Sequence, residues 1–573
     1  MLKYLYLLMA VLFCSCNSNT SSPEAASLII KNGSIYNAND SQPNAKIIAV
    51  KDDIIIYVGD DESQIPKNDN TQVIDLNGKT LTPGFIEGHG HILGIGYNEL
   101  NIDLLNVKNY DELLELVEDA VAKAEPGQWI VGRGWHQSKW TPQPENLVKG
   151  FQTHNNLSAI SPDNPILLSH ASGHASFANA KAMEIAGVTA STVRELSETL
   201  KEGEGGEIII DTDGNPTGIF TERATGLVAK FIPKNDRDQD KKALKMAQEA
   251  CLKLGITGFH DAGQNRQVID LLQELKAEDE LPVRMYVMLT GFDESLLNEW
   301  YQKGPMIDSA KHTLDIRSIK LNCDGALGSR GAWLLEPYSD REGHYGHETL
   351  PMTFVESTSK KALQSGFQVC AHAIGDRANR EILDRYEIAF NNYREKANNH
   401  RFRIEHAQHL NPEDIGRFAE LGVIPAMQAI HMASDRPWAI DRLGEQRIIE
   451  GAYVWQKLLK TGVKIVNGTD APVEPLDPLP SFYASVSRRT LAGTPEGGYE
   501  PDQKMTRDQA LKSYTIWPAY GAFMENEKGT IEVGKLADFT VFDKDIMTIS
   551  EDDILKTKVS MTIIGGKVKY QAN

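Results

Sequence analysis

The chain has 573 residues, a formal charge of −20 and 41% hydrophobic residues, enough to bury a substantial core in one large unit or two domains. So acidic a chain stays soluble and is a poor partner for nucleic acid. Of its five cysteines, two lie in the N-terminal leader; the remaining Cys251, Cys323 and Cys370 are an odd, sparse set that argues against a disulfide framework and reads as buried thiols.

Residues 1–22 read as an export signal and tether. Lys3 supplies a positive charge, and 5–13 is an apolar run too short to span a bilayer. Phe13-Cys14-Ser15-Cys16, followed by a polar stretch, resembles a bacterial lipoprotein processing site. Cys16 is then the lipidated residue, with Cys14 as the alternative and simple secretion as the rival reading. No later stretch is long and apolar enough to cross a membrane, so the expectation is an exported protein, lipid-anchored to a bacterial membrane on the periplasmic or cell-surface side.

Short strands follow at 28–31, 47–51, 54–58 and 73–76, broken by Asn32-Gly33, Asp52-Asp53 and Asn77-Gly78, which supply turn geometry. The same texture returns at 537–542 and 559–568. Residues 23–82 and 527–573 are therefore expected to build one small β-sandwich from both chain ends. Between them, strand-like runs at 83–91, 256–260, 283–289, 316–321, 367–371, 402–405, 422–427 and 463–467 alternate with amphipathic stretches such as 241–254, 354–364, 377–393 and 454–460. That rhythm predicts an α/β fold, a distorted (β/α)8 TIM barrel spanning 83–526. The interval 93–233 interrupts it, with helices of its own and a hairpin around Asp213-Gly214-Asn215, and reads as a subdomain inserted after the first barrel strand, over the barrel mouth.

The first strand ends in His89-Gly90-His91. Alternate side chains of a strand point the same way, so the two imidazoles can face one metal ion; alone, the pair is a weak signal. Function in such barrels collects at the C-terminal ends of strands, and these ends carry His89, His91, Lys320, His372, His406 and Asp470. Singly, Lys320 reads as a surface lysine, His372 and His406 as core histidines, and Asp470 as a helix cap. In this order on successive strands they read as a metal centre.

These residues, with Gly173-His174, Asp324-Gly325-Ala326-Leu327-Gly328-Ser329-Arg330, His372-Ala373-Ile374-Gly375-Asp376, Arg403-Ile404-Glu405-His406-Ala407-Gln408 and Thr469-Asp470-Ala471-Pro472, resemble the amidohydrolase superfamily. The resemblance is to its amidohydrolase-3 branch, which includes enzymes similar to N-substituted formamide deformylases. It implies one or two divalent metal ions, usually zinc. His89 and His91 would hold one, His372 and His406 a second, and Asp470 would touch the first ion and the attacking water. A carboxylated Lys320 would bridge the pair; an unmodified one points to a mononuclear centre. The water would be acidified to a pKa of about 7, as in well-known zinc enzymes. Asp470 would then act as general base and return the proton to the leaving nitrogen, with His406 or a pocket residue polarising the carbonyl.

His174, Asp324, Arg330 and Gln428 are candidate substrate contacts, each with a structural alternative. Trp129, Trp135 and Trp140 either roof the pocket or, the favoured reading, pack as an aromatic cluster. Two departures from the family stand out: Glu87, where an aspartate is common, and Ala429, where a proline is more usual after the glutamine. The expected activity is hydrolysis of a carbon–nitrogen bond other than a peptide bond, in a small linear amide. Rivals are a cyclic amide or imide hydrolase, a mononuclear deaminase, and a catalytically silent binding lipoprotein. The oligomeric state is not legible.

Overall fold

The computed structural model describes residues 25–572 except 106, 138–139, 171–174, 203–205 and 234–235. The leader with Cys14 and Cys16, and His174, lie outside the described residues. Eight parallel strands form the central sheet: β1 (Phe85–Gly90), β2 (Ile256–Gln264), β3 (Arg284–Thr290), β4 (Leu314–Asn322), β5 (Gln368–Ala373), β6 (Arg403–His406), β7 (Ile424–Met427) and β8 (Val466–Asn467), each hydrogen-bonded to the next. Helices Arg237–Lys253, Met352–Ser365, Asp376–Asn392 and Trp455–Lys460 occupy the expected amphipathic stretches.

The period-two pattern of each strand divides its residues between two environments. Ile316, Ile319 and Leu321 of β4, Val369, Ala371 and Ala373 of β5, and Ile404 of β6 join the large apolar core. The alternate set, Ser318 and Lys320, Gln368 and Cys370, Arg403 and Glu405, is buried as well. It meets across the barrel in polar contacts such as the Tyr286 hydroxyl donating to Gln368 Oε1 at 3.0 Å. The barrel interior thus carries polar and ionised groups beside a small apolar cluster of Ala262, Met288 and Cys370.

Between β8 and β1 the barrel closes through loop contacts. Asp470 N donates to His89 O at 2.8 Å and His91 N to Ala471 O at 2.8 Å. Glu87 accepts from Thr469 N at 2.7 Å and from the Thr469 hydroxyl at 2.9 Å, so the departure noted at position 87 braces this seam. Gly468 has to be glycine: a Cβ there would stand 2.3 Å from Glu87 Oε1 and 2.6 Å from His89 N.

Both chain ends contribute to one eight-stranded sheet. Phe539–Phe542 runs antiparallel to Thr80–Pro83, which pairs with Leu28–Tyr36. Successive residues of Leu28–Tyr36 face different cores: Leu28 and Ile30 join Phe539, Val541 and Ile563, while Ile29 packs with Ile47 and Ala49. The insertion leaves from the C-terminal end of β1 and returns through helix Arg237–Lys253. It has its own six-stranded sheet, including the hairpin of Gly206–Ile210 and Pro216–Glu222. Trp135 and Trp140 are buried in its core with Tyr110 and Phe177, and Trp129 packs against a neighbouring cluster, so these rings are packing residues. Cys251, Cys323 and Cys370 are buried free thiols. Among the described residues, no helix is long and apolar enough to cross a membrane.

Candidate metal centre

The strand ends bring the predicted ligands together at the seam. His91 Nε2 stands 3.2 Å from Asp470 Oδ1 and His89 Nε2 3.6 Å from the same oxygen. One ligand atom from each of the three lies within 4.8 Å of the others. Lys320 Nζ is 3.2 Å from His89 Nε2. The His406 ring is 5.1 Å from that of His89 and 4.4 Å from that of His372, centroid to centroid. His406 and Asp470 both have positive φ, 73° and 59°, a backbone conformation that costs a non-glycine residue energy and recurs at functional sites.

Behind three of the four histidines stands an acceptor that fixes the ring. His89 Nδ1 meets Glu405 Oε2, His372 Nδ1 meets Asp324 Oδ1 at 2.9 Å, and His406 Nδ1 meets Gln428 Oε1 at 2.7 Å. An acceptor at Nδ1 places the ring proton there and leaves the Nε2 lone pair for a ligand. Asp324 also accepts from Ile374 N, Gly375 N and Trp333 N. Asp324 and Gln428, expected as substrate contacts, therefore sit behind the histidines as braces. Arg330, also expected as a substrate contact, is held in an ion pair with Asp340 at 2.8 Å, which ties down its own loop.

Glu405 and Arg403 received no role from the sequence. Arg403 grips both Glu405 oxygens, at 2.7 and 2.8 Å, and reaches Gly88 O at 2.8 Å and His260 Nδ1 at 2.9 Å. The signal was present as two opposite charges at alternate positions of a short buried strand.

The electrostatics suit a cation. Burial pushes His89 down to about 4 and His406 well below its usual range, so both rings stay neutral. Burial also lowers Lys320. Burial works to raise Asp470, but His91, His89 and His406 around it hold it well below the ordinary carboxylate range. Asp470 Oδ1 is buried and accepts no hydrogen bond. An ionised, buried oxygen set between the His91 and His89 nitrogens, at 3.2 and 3.6 Å, is costly unless a cation completes it, so the residues present fit a divalent metal with nitrogen and oxygen ligands.

The pattern of the Amidohydrolase family matches residues 72–570, and the chain belongs to that family. It is a metal-dependent hydrolase of the amidohydrolase superfamily, acting on carbon–nitrogen bonds. Among its relatives, Protein LONG AFTER FAR-RED 3 of Arabidopsis thaliana is 32% identical, over 95% of this chain and 92% of the relative. The N-substituted formamide deformylase of Arthrobacter pascens is 27% identical, over 95% and 98%. The crystal structure of an uncharacterized metal-dependent hydrolase from Pyrococcus furiosus superposes with a TM-score of 0.72 at 27% identity, covering 91% of this chain and all of that one.

Proposed function

We propose that the chain hydrolyses a small linear amide, with N-substituted formamides as the first class to examine, and that zinc is its metal. The observation that carries this is the orphaned Asp470 Oδ1 between the His89 and His91 nitrogens; the deformylase relative supports the substrate class.

His89, His91 and Asp470 would hold one ion, and His372 and His406 would hold a second beside Lys320. Bound there, the metal would supply Lewis-acid polarisation of the scissile carbonyl and acidify a water at neutral pH. Asp470 takes the proton from the attacking water and returns it to the leaving nitrogen. Glu405, Asp324 and Gln428 keep the histidine rings from turning. Burial favours the neutral amine of Lys320, the form that adds carbon dioxide, forming one N–C bond and losing one proton, to give a carbamate ligand. We also propose that Cys16 carries the lipid that holds the protein to the membrane; incorporation of a labelled fatty acid should disappear in Cys16→Ser.

The test is a hydrolysis screen of N-formyl, N-acyl and cyclic amides with protein lacking residues 1–22, loaded with zinc or stripped by chelator. Turnover of linear formamides by the loaded protein alone is expected. Turnover only of cyclic amides, or release of ammonia from an aromatic amine, would replace the linear reading; no tightly held metal would replace it with a silent binding protein.

A further inference from the structure

A second group of side chains gathers beside Asp470, contributed by the loops after β6, β7 and β8, and the reaction described above uses none of them. His431 lies in the first turn of helix Ala429–Gly451, directly after β7. Asp435 is one turn further on the same face, since residues four apart are neighbours on a helix. Glu474 lies four residues beyond Asp470. The Ser434 hydroxyl stands 3.2 Å from Asp435 Oδ1 and 3.3 Å from His431 O, and Gln408 Nε2 stands 3.4 Å from Asp435 Oδ2 while donating to the Tyr453 hydroxyl at 2.8 Å.

Among the described residues neither Asp435 nor Glu474 has an ion-pair partner; Arg436, the next residue on the helix, is turned to Glu500 at 2.7 Å, as is Arg488 at 2.9 Å. Burial pushes both carboxyls above their ordinary range, with Asp435 and Asp470 adding to the effect at Glu474 and His431 working against it at both. Half-buried carboxylates without a counter-charge are costly.

His431 points to a ligand independently. The residue is more than nine-tenths buried, at 8% exposed, and its Nε2 has no hydrogen-bond partner. The ring lies parallel to His406, 6.0 Å away and 15° tilted, with Nε2 3.9 Å from Asp470 Oδ2, too far for a hydrogen bond. An imidazole nitrogen and two carboxylates without a counter-charge, next to the reacting centre, offer acceptors and negative charge. An ammonium, with three donors and one positive charge, matches them in number and sign.

We propose that Asp435, Glu474 and His431 form a subsite for a cationic nitrogen of the substrate, an ammonium or amidinium carried on the same molecule as the amide cleaved beside Asp470. This rests on the amide-hydrolase reading of the centre. The preferred substrates are then N-acylated diamines or similar aminoalkyl amides, and neutral alkyl amides of equal size are poor ones.

The test compares N-(3-aminopropyl)methanesulfonamide with N-butylmethanesulfonamide, a cationic and a neutral ligand of matched length that the enzyme cannot hydrolyse. Binding to the zinc-loaded full chain is measured by calorimetry at neutral pH. The cationic ligand should bind about 10- to 100-fold more tightly. In the Asp435→Asn/Glu474→Gln variant, whose amides keep shape and hydrogen bonding, that preference should collapse while the neutral ligand binds as before; native metal content and melting temperature would show the fold intact. Equal or tighter binding of the neutral ligand, no binding of either, or a preference that survives the double substitution would each overturn the subsite. The two formamides of the same amines, run for turnover in parallel, test the reaction separately: failure to hydrolyse either counts against the proposed function, whereas the sulfonamides decide the subsite.

Discussion

Glu405 offers the sharpest separation of stability from metal binding. Both Glu405 and Arg403 are 0% exposed, and the guanidinium has no other carboxylate partner among the described ion pairs. Glu405→Gln keeps volume and one acceptor but leaves that guanidinium buried without its counter-charge, a loss of about 3–5 kcal/mol. An exposed pair such as Lys149–Glu207 would lose under about 1 kcal/mol on the same treatment. Because the carboxylate also fixes His89 through Nδ1, metal affinity should fall by about 10- to 100-fold. The second arm is Arg403→Met/Glu405→Leu. Removing both charges should recover most of the stability, but His89 still lacks its acceptor, so metal binding stays weak. Stability is read by urea unfolding of the chelator-stripped protein, because bound metal would itself stabilise the fold, and affinity by competition with a chromophoric chelator. Native metal affinity in the double variant, or an unfolding midpoint unmoved in Glu405→Gln, would refute the bracing role.

Three further outcomes are expected. Asp470→Asn should weaken metal binding and, in protein saturated with zinc, still lose about 10²- to 10⁴-fold in kcat, and undiminished turnover would remove Asp470 as the base. Gly468→Ala pushes a Cβ to 2.3 Å from Glu87 Oε1 and 2.6 Å from His89 N, and the overpacked seam should cost about 1–3 kcal/mol in denaturant unfolding; a change below the error of the measurement would mean that the seam can give. His400, away from the centre, should make stability depend on pH: burial pushes it down to about 4, its Nε2 meets Leu421 O at 2.8 Å, and its Nδ1 accepts from Phe402 N at 2.8 Å. The folded state therefore holds the neutral ring, its contribution is fully present above the unfolded pKa of about 6.5 and is lost as pH falls from there to about 4, a change of about 3 kcal/mol. His400→Gln should flatten that part of the profile, and an unchanged slope between those pH values would sink the assignment.

What could be read from the sequence, and what could not, follows from how narrowly each role restricts residue type. Neutral nitrogen and anionic oxygen donors come from few side chains, so His89, His91, His372, His406 and Asp470 stand out once strand periodicity places them at the C-terminal ends of the first, fifth, sixth and eighth barrel strands. The hairpin at Asp213-Gly214-Asn215 was legible for the same reason, since Gly214 takes a φ of 86° that few other residues tolerate. An acceptor behind a ligand is far less restricted: carboxylate or amide serves, and here Glu405, Asp324 and Gln428 fill the same role from 316, 48 and 22 residues away from their histidines. No local spacing identifies such residues, and this is why Asp324 and Gln428 read as substrate contacts. Arg330 shows the converse, a conspicuous cation beside a strand end that is neutralised ten residues later by Asp340. The same logic gives the carboxylates at 435 and 474 their weight. Charges that explain a brace or an ion pair are found once the fold is known, and these two, beside an imidazole without a hydrogen-bond partner at Nε2, have no ion-pair partner among the described residues. No described residue supplies their partner, which leaves that place to a cation of the substrate; if the metal ions alone offset them, the matched sulfonamides will bind alike.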